Sequence, residues 1–252
     1  MKSNFKLIKE NIKYMLTGYR FRIIFMFLIC FNLFGVGYLA YNQHYINGLL
    51  SIMTNPYYVI SLLAMVLINT INTFGMFEKS DLYIIRFKDR KEYLIQLTKN
   101  IIVSNSVLFV INLIVLIIGL NIFVGNRFVI ENWMDYSIPN ILYVVFYLIR
   151  MFFLVQIVAT ISAFLLKLMD SRIVIILNVI LWSLFLMSPY ASNFKVNTLS
   201  DMFWNFCDYF RIHLYSGLAY EILCSTIYIS ILLVLTFILF HISKSNIKKI
   251  GV

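Results

Sequence analysis

Residues 78–100 read EKSDLYIIRFKDRKEYLIQLTKN. This is the one long charged run lying between hydrophobic stretches. Lys79, Arg86, Lys88, Arg90, Lys91 and Lys99 stand against Glu78, Asp81, Asp89 and Glu92. Tyr83, Ile84, Ile85, Phe87 and Tyr93 are interleaved with them, so the run can offer apolar anchors inside a charged rim. Its competing reading is a solvated loop lying near lipid.

On either side the chain is greasy. It has 252 residues, 62% of them apolar and 17% aromatic, with 13% charged and a mean hydropathy of +0.87. Soluble domains average about 45–50% apolar and about 25% charged, so the composition predicts an all-α integral membrane protein. A bilayer core takes about twenty apolar residues of helix. Six stretches meet or approach that length, at about 23–41, 56–74, 101–124, 141–166, 173–187 and 222–242. Pro56 falls in the first turn of the second span, where a missing N–H is harmless. Residues 42–55 read as a short polar loop, 125–140 as a polar loop anchored by Trp133 and Tyr136, and 167–172 as a tight charged turn.

The basic residues set the orientation. With the N-terminus inside, seventeen Lys and Arg face the cytoplasm: six in the leader, six in the 78–100 run, two in the turn and three in the tail. Only Arg127, Lys195 and Arg211 fall outside. The positive-inside rule therefore predicts a multi-pass protein of the cell membrane with both termini cytoplasmic. The net charge of +10 is absorbed by topology and by contact with the lipid bilayer, and no nucleic-acid partner is implied. Phe5, Ile8, Ile12, Met15 or Leu16, and Tyr19 recur at helical spacing among lysines, so residues 1–22 are expected to form an amphipathic interfacial helix. No A-x-A site follows this leader, so no cleaved signal peptide is expected.

Searching for catalysis yields little. There is no HExxH and no GxxxxGK[ST], and Ser216-Gly217 lacks the glycine of a membrane serine nucleophile. His44, His213 and His241 are scattered, and Cys30, Cys207 and Cys224 show no CxxC spacing, so no metal site is expected. Cys207 and Cys224 both fall near the outer face, which leaves a disulfide between them as the weaker reading.

Arg150 is the one charge well inside a span, nine residues from Ile141 and so about 14 Å along the helix. A charge there is costly unless paired or hydrated. It either snorkels to the outer headgroups or faces a cavity, with Asn112 or Asn178 as polar company on a substrate path. Asn32, Asn105, Asn112, Gln156 and Asn178 also read as glue between helices. Between spans five and six, Thr198 and Asp201 precede Phe203, Phe206 and Phe210 at helical spacing. That segment is either an interfacial helix on the outer leaflet or an extracellular lid over an exit.

This layout resembles the six-span permeases of ABC exporters, the class containing small peptide and bacteriocin-immunity exporters. The shared features are the amphipathic leader, the charged segment YIIRFKDRKEYL between spans two and three, the short turn between spans four and five, and the apolar re-entrant region between spans five and six. The resemblance implies that residues 78–100 hold a coupling helix, with Tyr83, Arg86, Phe87, Arg90, Lys91 and Tyr93 meeting a separate ATP-binding subunit. It implies that ATP and Mg bind in that partner, that this chain binds no cofactor and is no enzyme itself, and that a second permease copy completes the transporter. The expected activity is export of a peptide or other amphipathic substrate. The alternatives are an ion-driven carrier, which would want acidic residues at mid-membrane, and a non-transporting scaffold or sensor.

Overall fold

In a computed structural model, the described residues are 12–13, 16–37, 44–78, 90–124, 128–130 and 139–191, with isolated helical positions from 219 to 238. They form helices and no strand. The elements are α1 (Tyr19–Gly35), α2 (Tyr45–Met53), α3 (Pro56–Glu78), α4 (Arg90–Phe123), α5 (Asn140–Leu168) and α6 (Ser171–Ala191). Three stretches, Tyr57–Met76, Ile95–Phe123 and Asn140–Leu168, are long and apolar enough to cross a membrane, and Phe21–Gly35 and Ser171–Trp182 are shorter apolar helices.

Side-chain pairs give the direction of each helix. Asn32 meets Asn112, and Val36 lies against Gly119, so α1 and α4 run parallel. Tyr58 meets Asn112 and Thr73 meets Ser104, so α3 runs against α4. Phe152 packs on Phe109 and Gln156 bonds Ser106, so α5 also opposes α4. Ser162 meets Asn178 across the tight turn at Met169–Asp170, which sets α6 against α5. The long helices therefore alternate in direction along the chain, as successive membrane crossings must.

The surface is inverted relative to a protein made for water. Val110, Ile114, Ile117 and Ile118 of α4 and Ile173, Ile176 and Ile180 of α6 point outward, while Asn69, Thr70, Asn105, Asn112, Gln156 and Asn178 are buried. Lipid tails suit that outer face. They also remove most of the hydrophobic gain from helix association, leaving close packing and hydrogen bonds to hold the bundle. Gly119 shows the packing side of this. A Cβ there would sit 3.3 Å from Val36 Cγ2, a tight contact, so glycine at 119 eases the close approach of α1 and α4.

Several boundaries differ from the expectation. The first apolar helix starts at Tyr19, after an extended Gly18 breaks the helical leader, and not at residue 23; beyond Gly35 the chain stays helical at 36–37, and the expected end at residue 41 lies outside the described residues. The polar loop at 42–55 is corrected outright. It holds α2, whose Ile46, Leu50, Ile52 and Met53 are buried, with Ile46 and Leu50 packed on Tyr143. Nine residues span only about 14 Å, so α2 is too short to cross a bilayer; it lies along the start of α5, with Asn47 near Asn140 and Met53 near Tyr147. Thr54 Oγ1 bonds the Leu50 carbonyl and Asn55 Oδ1 accepts from the N–H groups of Tyr57 and Tyr58. Asn55 thus caps α3, with Pro56 at its first position as expected.

The apolar stretch expected at 101–124 begins earlier, at Ile95, and it belongs to α4, a 34-residue helix about 51 Å long that starts at Arg90. Asn140–Leu168 and Ser171–Ala191 slightly exceed 141–166 and 173–187. Asp170 caps α6, and its carboxyl is held below the usual range by the Arg172 N–H and then by the Ser171 hydroxyl. The 1–22 leader is helical at residues 12, 13, 16 and 17, and its earlier part lies outside the described residues. The 222–242 span is represented only by its isolated helical positions, the last at 238.

Candidate functional site

The charged run lies between two helix ends. α3 ends at Glu78 and α4 starts at Arg90, so eleven residues, 79–89, join them. Tyr83, Arg86 and Phe87 fall in that joint and lie outside the described residues. Arg90 and Lys91 open α4, and Tyr93 is half-buried against the bundle core. These three residues are not on a separate helix crossing the membrane surface. They stand on the N-terminal extension of a helix long and apolar enough to cross a membrane.

α3 and α4 are joined by a polar clamp. Asn69 Nδ2 donates to Asn105 Oδ1 at 3.0 Å, Asn105 Nδ2 donates to Thr70 Oγ1 at 3.0 Å, and the Thr73 and Ser104 hydroxyls lie 3.3 Å apart. All five side chains are buried.

Higher in the bundle a second polar set joins three helices. Asn32 Nδ2 donates to Asn112 Oδ1 at 3.0 Å, and Asn112 Nδ2 donates to the Tyr58 hydroxyl at 2.6 Å. This ties α1, α4 and α3 at one level. The expectation that these asparagines act as glue is met for Asn32, Asn105 and Asn112, each of which bonds across a helix interface. Gln156 Nε2 likewise reaches Ser106 at 3.1 Å.

Arg150 is 1% exposed and is the largest fully buried side chain among the described residues. A side chain so enclosed does not reach the headgroups, which disposes of the snorkelling alternative. Its guanidinium carbon lies 5.8 Å from the centre of the Tyr147 ring, within reach of a cation–π attraction. The Tyr147 hydroxyl donates to the Met53 carbonyl at the end of α2. Asn140 Nδ2 holds the start of the same short helix through Asn47 Oδ1 at 2.9 Å, and also meets the Val129 carbonyl. Arg150 thus belongs to the face of α5 on which α2 is pinned. Asn178 does not share its surroundings, because its partner Ser162 is twelve residues, about 18 Å, along α5.

Phe203, Phe206 and Phe210 of the expected lid lie outside the described residues, as do Cys207 and Cys224. The sequence reading missed α2, Tyr58 and Tyr147. One usable signal was the apolar run Leu49, Leu50, Ile52 and Met53 inside a stretch taken as polar. Searches against family models, curated proteins and solved structures return no match for this chain.

Proposed function

We propose that the chain is the membrane subunit of an ATP-driven exporter, with six spans, both termini in the cytoplasm, and a second permease copy completing the transporter. A separate ATP-binding subunit docks on the 79–93 segment and supplies the hydrolysis of ATP with Mg. The observation that carries this reading is the clamped pair behind the charged joint. Push on Arg90 or Lys91 and the load enters α4 at its first turn. α4 is continuous through Ser104 and Asn105 to Asn112, and the first two are bonded to α3. A displacement at the tip is thereby carried about 33 Å along a rigid helix to the level of Asn32 and Tyr58. A loop that merely rests on lipid has no use for such a connection. The seventeen-to-three charge bias puts the tip on the cytoplasmic side, where ATP is. The resemblance to small peptide-exporter permeases supports a peptide or other amphipathic substrate.

The joint Arg90→Glu and Lys91→Glu variant tests the docking. It is expected to weaken binding of the ATP-binding subunit at least tenfold while membrane abundance stays normal, because neither residue lies within the apolar window that begins at Ile95. Binding and transport unchanged from wild type would refute the assignment.

A further inference from the structure

Asn32 Oδ1, Gln96 Nε2, Gln156 Oε1 and Thr160 Oγ1 lie buried without a hydrogen-bond partner among the described residues. Their residues are each 1–2% exposed. A buried polar atom left unmatched is costly, and native proteins meet that cost with water or a bound ion.

The heights of these atoms follow from the register of α4 against α5. Ser106 lies opposite Gln156 and Phe109 opposite Phe152. One further turn brings Asn112, and with it Asn32, level with Arg150. In the other direction Thr160 falls level with about Ile102, and Gln96 lies six residues beyond. The unmatched atoms are thus staged at about 9, 6 and 9 Å intervals, from near the cytoplasmic end of α4 to the level of Arg150. They cover about 24 Å of a hydrocarbon core about 30 Å thick. No Asp or Glu occurs in Tyr57–Met76, Ile95–Phe123 or Asn140–Leu168, so the charge contributed by these stretches at that level is the guanidinium of Arg150.

We propose that these residues line a hydrated seam inside a single chain, and that Arg150 makes its outer end a site for small anions or anionic groups. The seam lies among α1, α3, α4 and α5. Asn32, Gln96, Gln156 and Thr160 supply neutral donors and acceptors that water can bridge, and Arg150 supplies the sign. The seam does not depend on the docking of an ATP-binding subunit. It is measured on this chain alone, so loss of the Arg90 docking result would leave it standing.

Thiol access provides the test. Cys30, Cys207 and Cys224 are replaced by serine, the chain is placed in zwitterionic nanodiscs, and Thr160→Cys is treated with anionic sulfonatoethyl or cationic trimethylammonium-ethyl methanethiosulfonate. Ile176→Cys, on the exposed apolar face of α6, is the reference. Thr160→Cys should react at least tenfold faster than the reference and prefer the anionic reagent. Arg150→Gln, about 15 Å along α5, should lower that preference at least about threefold. Gln96→Cys repeats the measurement if the first variant does not fold. Slowing by inorganic phosphate would assign the anionic group to a free ion, and slowing only by added phosphatidylglycerol would assign it to a headgroup. A rate no faster than the reference would overturn the seam. A preference untouched by Arg150→Gln, or a preference for the cationic reagent, would overturn the anion site.

Discussion

Replacing Asn105 with leucine should release α3 from α4 and lower the melting temperature of the purified chain by about 4–8 °C. The change removes the bond accepted from Asn69 and the bond donated to Thr70, both 3.0 Å and both buried. Interhelical hydrogen bonds in membranes are individually modest, averaging about 0.6 kcal/mol and reaching about 1.7. Here the loss also leaves the Asn69 amide with only its longer 3.4 Å bond to Ser104 Oγ, which adds part of the cost of an unmatched buried group. Together these come to about 2 kcal/mol, and for a chain of this size each kcal/mol moves the midpoint by about 2–4 °C. Ser61→Ala is the control. Ser61 Oγ donates to the Tyr57 carbonyl one turn back in its own helix, so its loss should leave the midpoint unchanged or raise it. Equal midpoints for the two variants would mean that packing alone holds α3 to α4. The lever invoked for coupling would then have no clamp.

The second large effect is expected at Arg150. Arg150→Leu should cut transport at least tenfold while membrane abundance stays equal or rises. The two readouts separate because the guanidinium weighs against insertion by about 2.5–3.5 kcal/mol at a helix centre, and leucine removes that penalty. Arg150→Lys refines the result. Lysine keeps the charge but loses the planar fork that can lie over Tyr147 and hold an anion through two nitrogens. It should insert normally and transport poorly. Full transport by both variants would remove Arg150 from the substrate path.

Much of the architecture was legible in the chain because lipid imposes simple rules. Apolar length gave the three long helices, Pro56 marked a helix start, and the charged turn at 167–172 gave the reversal between α5 and α6. The buried asparagines were legible as glue because a lone amide in hydrocarbon must find a partner. Their actual partners were not. Asn32 finding Asn112 across eighty residues depends on α1 and α4 running parallel and close at Gly119, which no local pattern encodes. α2 escaped because nine residues are too few to span and too few for a periodicity to stand out between His44 and Asn55. The early start of α4 escaped for a different reason. Charge density made 90–100 look like the end of a loop, although Arg, Lys, Glu, Leu and Gln are good helix formers and the backbone gains by continuing. At Arg150 the sequence supplied the anomaly and left its direction open, and the answer came from the packing of α2 and α5 around it.

The central claim is that residues 79–93 meet an ATP-binding subunit on the cytoplasmic side. A photo-crosslinking residue placed at Phe87, in the middle of the charged joint, tests this most directly in membranes of the cell that makes the protein. The account predicts one dominant protein adduct, formed with a subunit that hydrolyses ATP, and its loss when Arg90 and Lys91 are both glutamate. Adducts with lipid alone, in cells that still carry out the transport, would contradict it.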